Sequence, residues 1–179
     1  MPTFLSTSLL DLPILAALYT SAFREPPWYE VFDKEEVCAE FGEMLTWPDA
    51  VFLTVKLDDQ IVGGGIAFSV ARKPEVRDLL PRAYAEAIYV SELFVAPELR
   101  VRGVCHALIE ALLREGQARG ATHACVRTSV AQPIIRHLFV DRRGFAIHAE
   151  QAVISRKLLD GIEQEVPDTR IIMGGILSP

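Results

Sequence analysis

At 179 residues, with 50% apolar and 23% charged side chains, the chain is long enough to bury a substantial core and too short for two ordinary domains, so a single domain over residues 1–179 is expected. A net charge of -6 argues against nonspecific nucleic-acid binding; the first basic residue is Arg24, so the apolar start lacks the positive segment of a secretory signal, and no apolar run reaches membrane-spanning length. Cys38, Cys105 and Cys125 are odd in number and lack metal-ligand spacing, which predicts reduced thiols, no metal and, by default, a cytoplasmic location.

Pro13 near the start of an apolar-periodic run predicts a first helix over residues 12–23, capped by Ser8 or Asp11 and stopped by Pro26-Pro27. Asp33 followed by Glu36 has the spacing of a capping box and predicts a second helix to about Thr46, ended by Trp47-Pro48. Residues 51–57 and 61–70 read as strands of an antiparallel hairpin joined by Asp58-Asp59-Gln60. Gly63, Gly64 and Gly65 mark a bulge, a close backbone approach or a turn-proximal irregularity in its second strand.

A mixed stretch over 72–86, with prolines at 74 and 81, reads as an inserted loop with some helix. A strong strand over 88–95 precedes an amphipathic helix over 103–119, with Val104, Ala107, Leu108, Ala111 and Leu112 on one face and Gly120 at its end. A strand over 122–128, a helix over 131–142, a strand from beyond Gly144 to about 156 and a last strand over 170–176 complete a mixed α/β pattern.

Charge is uneven along the chain. Residues 25–60 hold ten acids against Lys34 and Lys56, whereas residues 97–145 hold eight arginines against four acids. The acidic segment favours a cationic acceptor if it borders a binding site. Within the basic segment, Pro97-Glu98-Leu99-Arg100-Val101-Arg102-Gly103-Val104-Cys105-His106 joins a strand to a helix N-terminus. Free helical N–H groups, the positive end of the macrodipole and a nearby arginine make such a turn suited to phosphate.

This turn resembles the signature of the GNAT superfamily (GCN5-related N-acetyltransferases), R/Q-x-x-G-x-G/A after a strand ending L-x-V-x-P. The matching residues are Leu93-Phe94-Val95-Ala96-Pro97, then Arg100, Gly103 and Cys105, with Arg119-Gly120, residues 124–128 and Arg143-Gly144-Phe145 following in order. The resemblance implies a GNAT fold, α/β (α+β), with a mixed central sheet of six to seven strands, about four helices and a splay between the fourth and fifth strands. It also implies an acyl-CoA, acetyl-CoA first, as co-substrate, no metal, and no nucleic-acid or membrane partner. Leu93, Phe94 and Val95 are expected to pair with the pantetheine arm; Arg100, Val101, Arg102, Gly103, Val104, Cys105 and His106 to meet the pyrophosphate; Gln132 and Phe139 to border the cofactor from the fourth helix. Arg136 and Arg143 are within reach of its phosphates. Two departures stand out: Val101 where a glycine is frequent, and Cys105 in place of glycine or alanine, either as a stand-in for alanine or as a thiol made acidic by the helix N-terminus.

Amine acylation needs a base, an oxyanion donor and an acid for the departing thiolate. Glu92, just ahead of Leu93-Phe94-Val95, matches the place where many GNAT enzymes carry a glutamate base, with Glu86 and Tyr89 as weaker substitutes. A backbone N–H of Phe94 or Val95 is the expected oxyanion donor. The tyrosine that serves as acid in similar enzymes is absent: one register places Val140 there, another Phe139. Three functions remain open on the sequence: an acetyltransferase acting on a small primary amine, an acyl-CoA binder that lost transfer, and an acetyltransferase of protein N-termini or lysines. A homodimer also stays open.

Overall fold

The computed structural model describes residues 1–100 and 103–177. Its centre is a seven-stranded sheet in the order β1-β2-β3-β4-β5-β7-β6, built from β1 (Thr3–Ser6), β2 (Val51–Leu57), β3 (Gln60–Ser69), β4 (Ile88–Val95), β5 (His123–Ser129), β6 (Ala146–Leu159) and β7 (Ile162–Ile176). All neighbours are antiparallel except β4 and β5. Helices α1 (Leu12–Arg24) and α2 (Lys34–Leu45) cover one face and α4 (Val104–Ala118) the other, with short α3 (Pro74–Arg77) in the β3–β4 crossover and short α5 (Pro133–Arg136) after β5. This is the mixed central sheet of six to seven strands that the resemblance implies, with five helices among the described residues rather than about four.

Strand periodicity divides the core. Ile66 and Phe68 pack under α1 and α2 with Tyr89, whereas Ala67 and Val90 pack under α4. Because both faces are covered, β2 reads as a continuous buried run from Val51 to Val55 rather than an alternation. Gly65 lets α4 approach: a Cβ there would lie 2.8 Å from Leu112 Cδ1. The three glycines of β3 thus mark close approach, since a Cβ on Gly63 would also meet the carbonyl oxygen of Phe94 at 2.5 Å.

The predicted caps hold in part. The Asp33 carboxylate accepts from the Glu36 N–H at 2.9 Å, and Asp11 accepts from the Ser8 N–H at 2.9 Å in a single 3₁₀ turn ahead of α1. Two boundaries differ from expectation. The helix expected over 131–142 is α5 followed by a wider π-type turn, His137–Asp141, in which Phe139 is fully buried against Phe145. The last strand begins at Ile162, because Asp160 and Gly161 form a two-residue hairpin turn with φ of 52° and 77°.

Two irregularities position the site. Ile66 faces Glu92 while Ala67 faces Val90, so Ser91 is an extra residue on β4. The parallel ladder with β5 ends there too: Ile88, Tyr89 and Val90 pair with Ala124, Cys125 and Val126, and nothing beyond does. The sheet divides between β4 and β5 as expected, and the divided edges bound two adjoining cavities.

Candidate active site

The first cavity, about 390 Å³, runs along β4 and is lined by Leu93, Phe94, Val95, Arg100, Gly103, Cys105 and His106, with Ile134, Ile135, His137 and Leu138 opposite. Ala96 N–H donates to Val62 O on the β3 side, so the alternation of an antiparallel ladder turns the N–H and C=O groups of Leu93 and Val95 toward the diverging β5 side. Of the two expected oxyanion donors, Val95 is therefore the one whose N–H faces the opening. Gly103 caps α4 in a left-handed conformation, φ 78°, and a Cβ built on it meets nothing within 4 Å. Open space above a helix N-terminus of fifteen residues is the shape a pyrophosphate needs.

The second cavity, about 300 Å³, lies past the bulge and is lined by Tyr19, Glu30, Lys73, Tyr89, Glu92, Arg127, Ser155 and Arg170, among others. Phe23, Trp28, Leu93 and Ile135 line both cavities and form their junction. Glu92 stands beside that junction. Its carboxylate accepts from the Tyr19 hydroxyl at 3.0 Å and from the Ser91 hydroxyl at 3.1 Å. Burial pushes its pKa up to about 7, against the opposing pull of these two hydrogen bonds and of the Lys73 charge. A carboxylate that ionises near neutrality, next to the meeting point of two clefts, has the properties of a general base.

A family model described as the acetyltransferase (GNAT) family matches residues 15–145, from within α1 to the residue after Gly144. The chain belongs to the GNAT family. Its fold is shared by solved structures of low sequence identity. An N-acetyltransferase from Staphylococcus aureus Mu50 superposes with a TM-score of 0.72 at 16% identity, covering 99% of both chains. The ribosomal-protein-S18-alanine N-acetyltransferase from Escherichia coli gives 0.66 at 16% identity, covering 100% of this chain and 96% of that one. The PaiA N-acetyltransferase from Thermoplasma acidophilum, solved in complex with coenzyme A, gives 0.64 at 12% identity and covers 99% of both. No curated protein sequence matches this one.

Within this GNAT frame, Leu93, Phe94, Val95, Arg100, Gly103, Cys105 and His106 share the groove wall, while Val101 and Arg102 lie outside the described residues. Val104, the first residue of α4, is buried in the core, and Gln132 and Phe139 are buried away from the groove; Ile134, Ile135 and Leu138 face it instead. Arg100 donates to the carbonyls of Ala22 at 2.6 Å and Pro26 at 3.2 Å and stacks over Trp28 at 4.8 Å, so its charge caps the C-terminal end of α1. Arg136 is exposed, and Arg143 is held by Glu110, His106 and the Leu138 carbonyl; Arg142 lines the groove in their place. Burial raises the Cys105 thiol to about 11 against the pull of the Arg143 charge, which favours the cysteine as a stand-in for alanine over an acidic nucleophile. Of the weaker base candidates, Tyr89 lines the second cavity with its pKa raised by burial, and Glu86 lies in a separate depression.

Several site residues carried no sequence signal of their own. Tyr19 lies on the buried stripe of α1 with Leu12, Leu15, Ala16 and Ala22; a tyrosine on such a stripe needs a partner for its hydroxyl, and that requirement was the available clue. Glu30 is the one acid of residues 25–60 that lines the second cavity, and Arg170 pairs with it at 2.6 Å. The loop carrying Glu30 is fastened to β6 by main-chain bonds: Leu158 N–H to Tyr29 O at 2.7 Å and Val31 N–H to Arg156 O at 3.1 Å. No helix among the described residues is long and apolar enough to cross a membrane, and no group of three metal-ligating side chains occurs among them.

Proposed function

We propose that this protein transfers an acetyl group from acetyl-CoA to a primary amine of a small molecule, by direct attack within one ternary complex. The observation that carries this reading is the position of Glu92, whose carboxyl titrates near 7 where the cofactor-shaped groove opens into a second cavity. The groove fits the co-substrate: main-chain groups of Leu93 and Val95 face it as an unpaired edge, and the space above Gly103 admits a phosphate. Acetyl-CoA supplies an activated acyl group, and this chain's residues supply the rest.

Glu92 takes the proton of the acceptor ammonium, so that the neutral amine attacks. The Val95 N–H meets the oxygen that gains negative charge, in a cleft where such a bond is stronger than in water. As the new C–N bond forms and the C–S bond breaks, the attacking nitrogen's remaining surplus proton passes to the departing thiolate, directly or through water, there being no tyrosine on α5 or its π-type extension. The modest cavity, roofed by a loop fastened to β6, favours a small acceptor over a folded protein surface.

The test is thiol release from acetyl-CoA over a panel of primary amines and N-terminal peptides. Release with a small amine and not with peptides supports the reading. Coenzyme A binding with no release for any acceptor overturns it in favour of a binder.

A further inference from the structure

The second cavity is lined by two carboxylates and three cations. Glu30 pairs with Arg170, which also reaches Asp168 at 3.2 Å and donates to the Ser155 hydroxyl at 2.9 Å, so this cation is engaged by two carboxylates and is not free to meet a ligand. Glu92 is held by Tyr19 and Ser91. What remains is Lys73, from the β3–β4 crossover, and Arg127, on β5 just beyond the last pair of the parallel ladder. Among the described residues neither has a carboxylate within ion-pair distance; Arg127 donates to the neutral Gln151 amide oxygen at 2.9 Å. Both line the second cavity and neither lines the cofactor groove.

Two half-buried cations that line one cavity without an ion-pair contact of their own gain charge-assisted hydrogen bonds when an anion arrives there. We infer that the acceptor carries an anionic group, a carboxylate or a phosphate, in addition to its amine, and that Lys73 and Arg127 bind that group while the amine reaches Glu92. This inference rests on the proposed amine acetylation. The opposite expectation, a cationic acceptor, comes from the acids of residues 25–60; of these only Glu30 lines the cavity, and it is engaged by Arg170. Arg127 offers a planar fork suited to either oxyanion, and Lys73 adds a point charge. The acceptor is thus doubly charged as it enters: its ammonium is drawn toward the Glu92 side and its anion toward Lys73 and Arg127, which sets its direction in the cavity.

The experiment compares four acceptors of matched chain length: an alkylamine, a diamine, an amino carboxylate and an aminoalkyl phosphate. Thiol release and calorimetric binding to the coenzyme A-loaded protein are both read. The expected result is a kcat/KM at least roughly tenfold higher for one or both anionic amines than for the alkylamine, the size of one charge-assisted hydrogen bond. The two anionic arms tell carboxylate from phosphate. In Lys73→Met and Arg127→Met the preference collapses through KM, and in Lys73→Glu it turns toward the diamine, a gain that misfolding does not imitate. Preference for the alkylamine or diamine in the wild type, or a preference untouched in all three variants, overturns the inference while leaving amine acetylation standing. Lys73-dependent binding of anionic amines without thiol release for any acceptor keeps the anion site and overturns the transfer reading.

Discussion

Tyr19 and Glu92, 73 residues apart, meet through a 3.0 Å hydrogen bond in which the phenol donates to the carboxylate. The bond joins α1 to β4 at the bulge and acts on the base in a definite direction, stabilising its ionised form against burial. Tyr19 is itself fixed by aromatic neighbours, with Phe41 and Phe94 each at 5.3 Å and nearly perpendicular to its ring. The base is therefore held by the core rather than by a mobile loop.

Glu92→Gln should lower kcat/KM by about 10²-fold or more at neutral pH, with partial recovery at high pH as free amine accumulates. The wild-type rate should rise with pH through a midpoint near 7, where the carboxyl ionises. A wild-type profile flat across pH 6–8 assigns the proton transfer to another group.

The same substitution should affect stability in the opposite sense. The Glu92 carboxyl titrates near 7 when folded and near its usual 4.5 when unfolded, so between those values the folded state holds the extra proton and wild-type stability falls as pH rises. Glu92→Gln removes that dependence, and its melting temperature relative to wild type should be higher at pH 8 than at pH 5. Thermal unfolding at the two pH values measures the difference.

Tyr19→Phe removes the donor and leaves the ring. The midpoint of the pH–rate profile should move upward, because the ionised form of Glu92 loses a hydrogen bond that stabilises it. A change in kcat with no movement of the midpoint indicates that Tyr19 acts on the substrate instead.

Gly103→Ala should cost about 1–2 kcal/mol of stability, since φ there is 78°, and should keep coenzyme A binding because its Cβ points into open space. Gly103→Trp should abolish binding while the domain stays folded. Calorimetric titration and thermal melts separate the two effects.

The missing acid can be installed at a position the groove identifies. Ile135 lines both cavities, whereas Phe139 is fully buried. Ile135→Tyr should raise thiol release severalfold if protonation of the thiolate limits the rate. Phe139→Tyr should not, and should lose about 1–3 kcal/mol by burying a hydroxyl without a partner. Rapid wild-type turnover unaffected by either change would mean that the acid is already in place elsewhere.

The residues legible in sequence are those whose roles follow from local spacing. The β2–β3 hairpin shows through its polar Asp58-Asp59 turn and the groove through Arg100 and Gly103 behind a strong strand, whereas Glu92 comes from the family resemblance, which places a base just ahead of Leu93-Phe94-Val95. Gln132 and Phe139 are expected beside the cofactor on regular helical winding, but Pro133–Arg136 passes into the wider turn His137–Asp141, and Phe139 is buried in the core. The start of β7 was missed although Asp160-Gly161 between Leu159 and Ile162 is a strong hairpin signal; the arm beyond it is polar and half-exposed, so no buried alternation marks it. The anion-facing wall had no local signature at all. Lys73, Arg127 and the Glu30–Arg170 pair, 140 residues apart in sequence, converge through the tertiary fold and the parting of β4 from β5.

The two bonds that tie Tyr29 and Val31 to β6 are made by main-chain atoms, so they do not depend on which side chains occupy those two positions. Residues there can drift, reshaping what the chamber admits, while the spacing between the parted halves of the sheet stays set by the backbone. Acceptor choice and the geometry of acyl transfer are thereby separately mutable, and a descendant of this chain can change its substrate without rebuilding its chemistry.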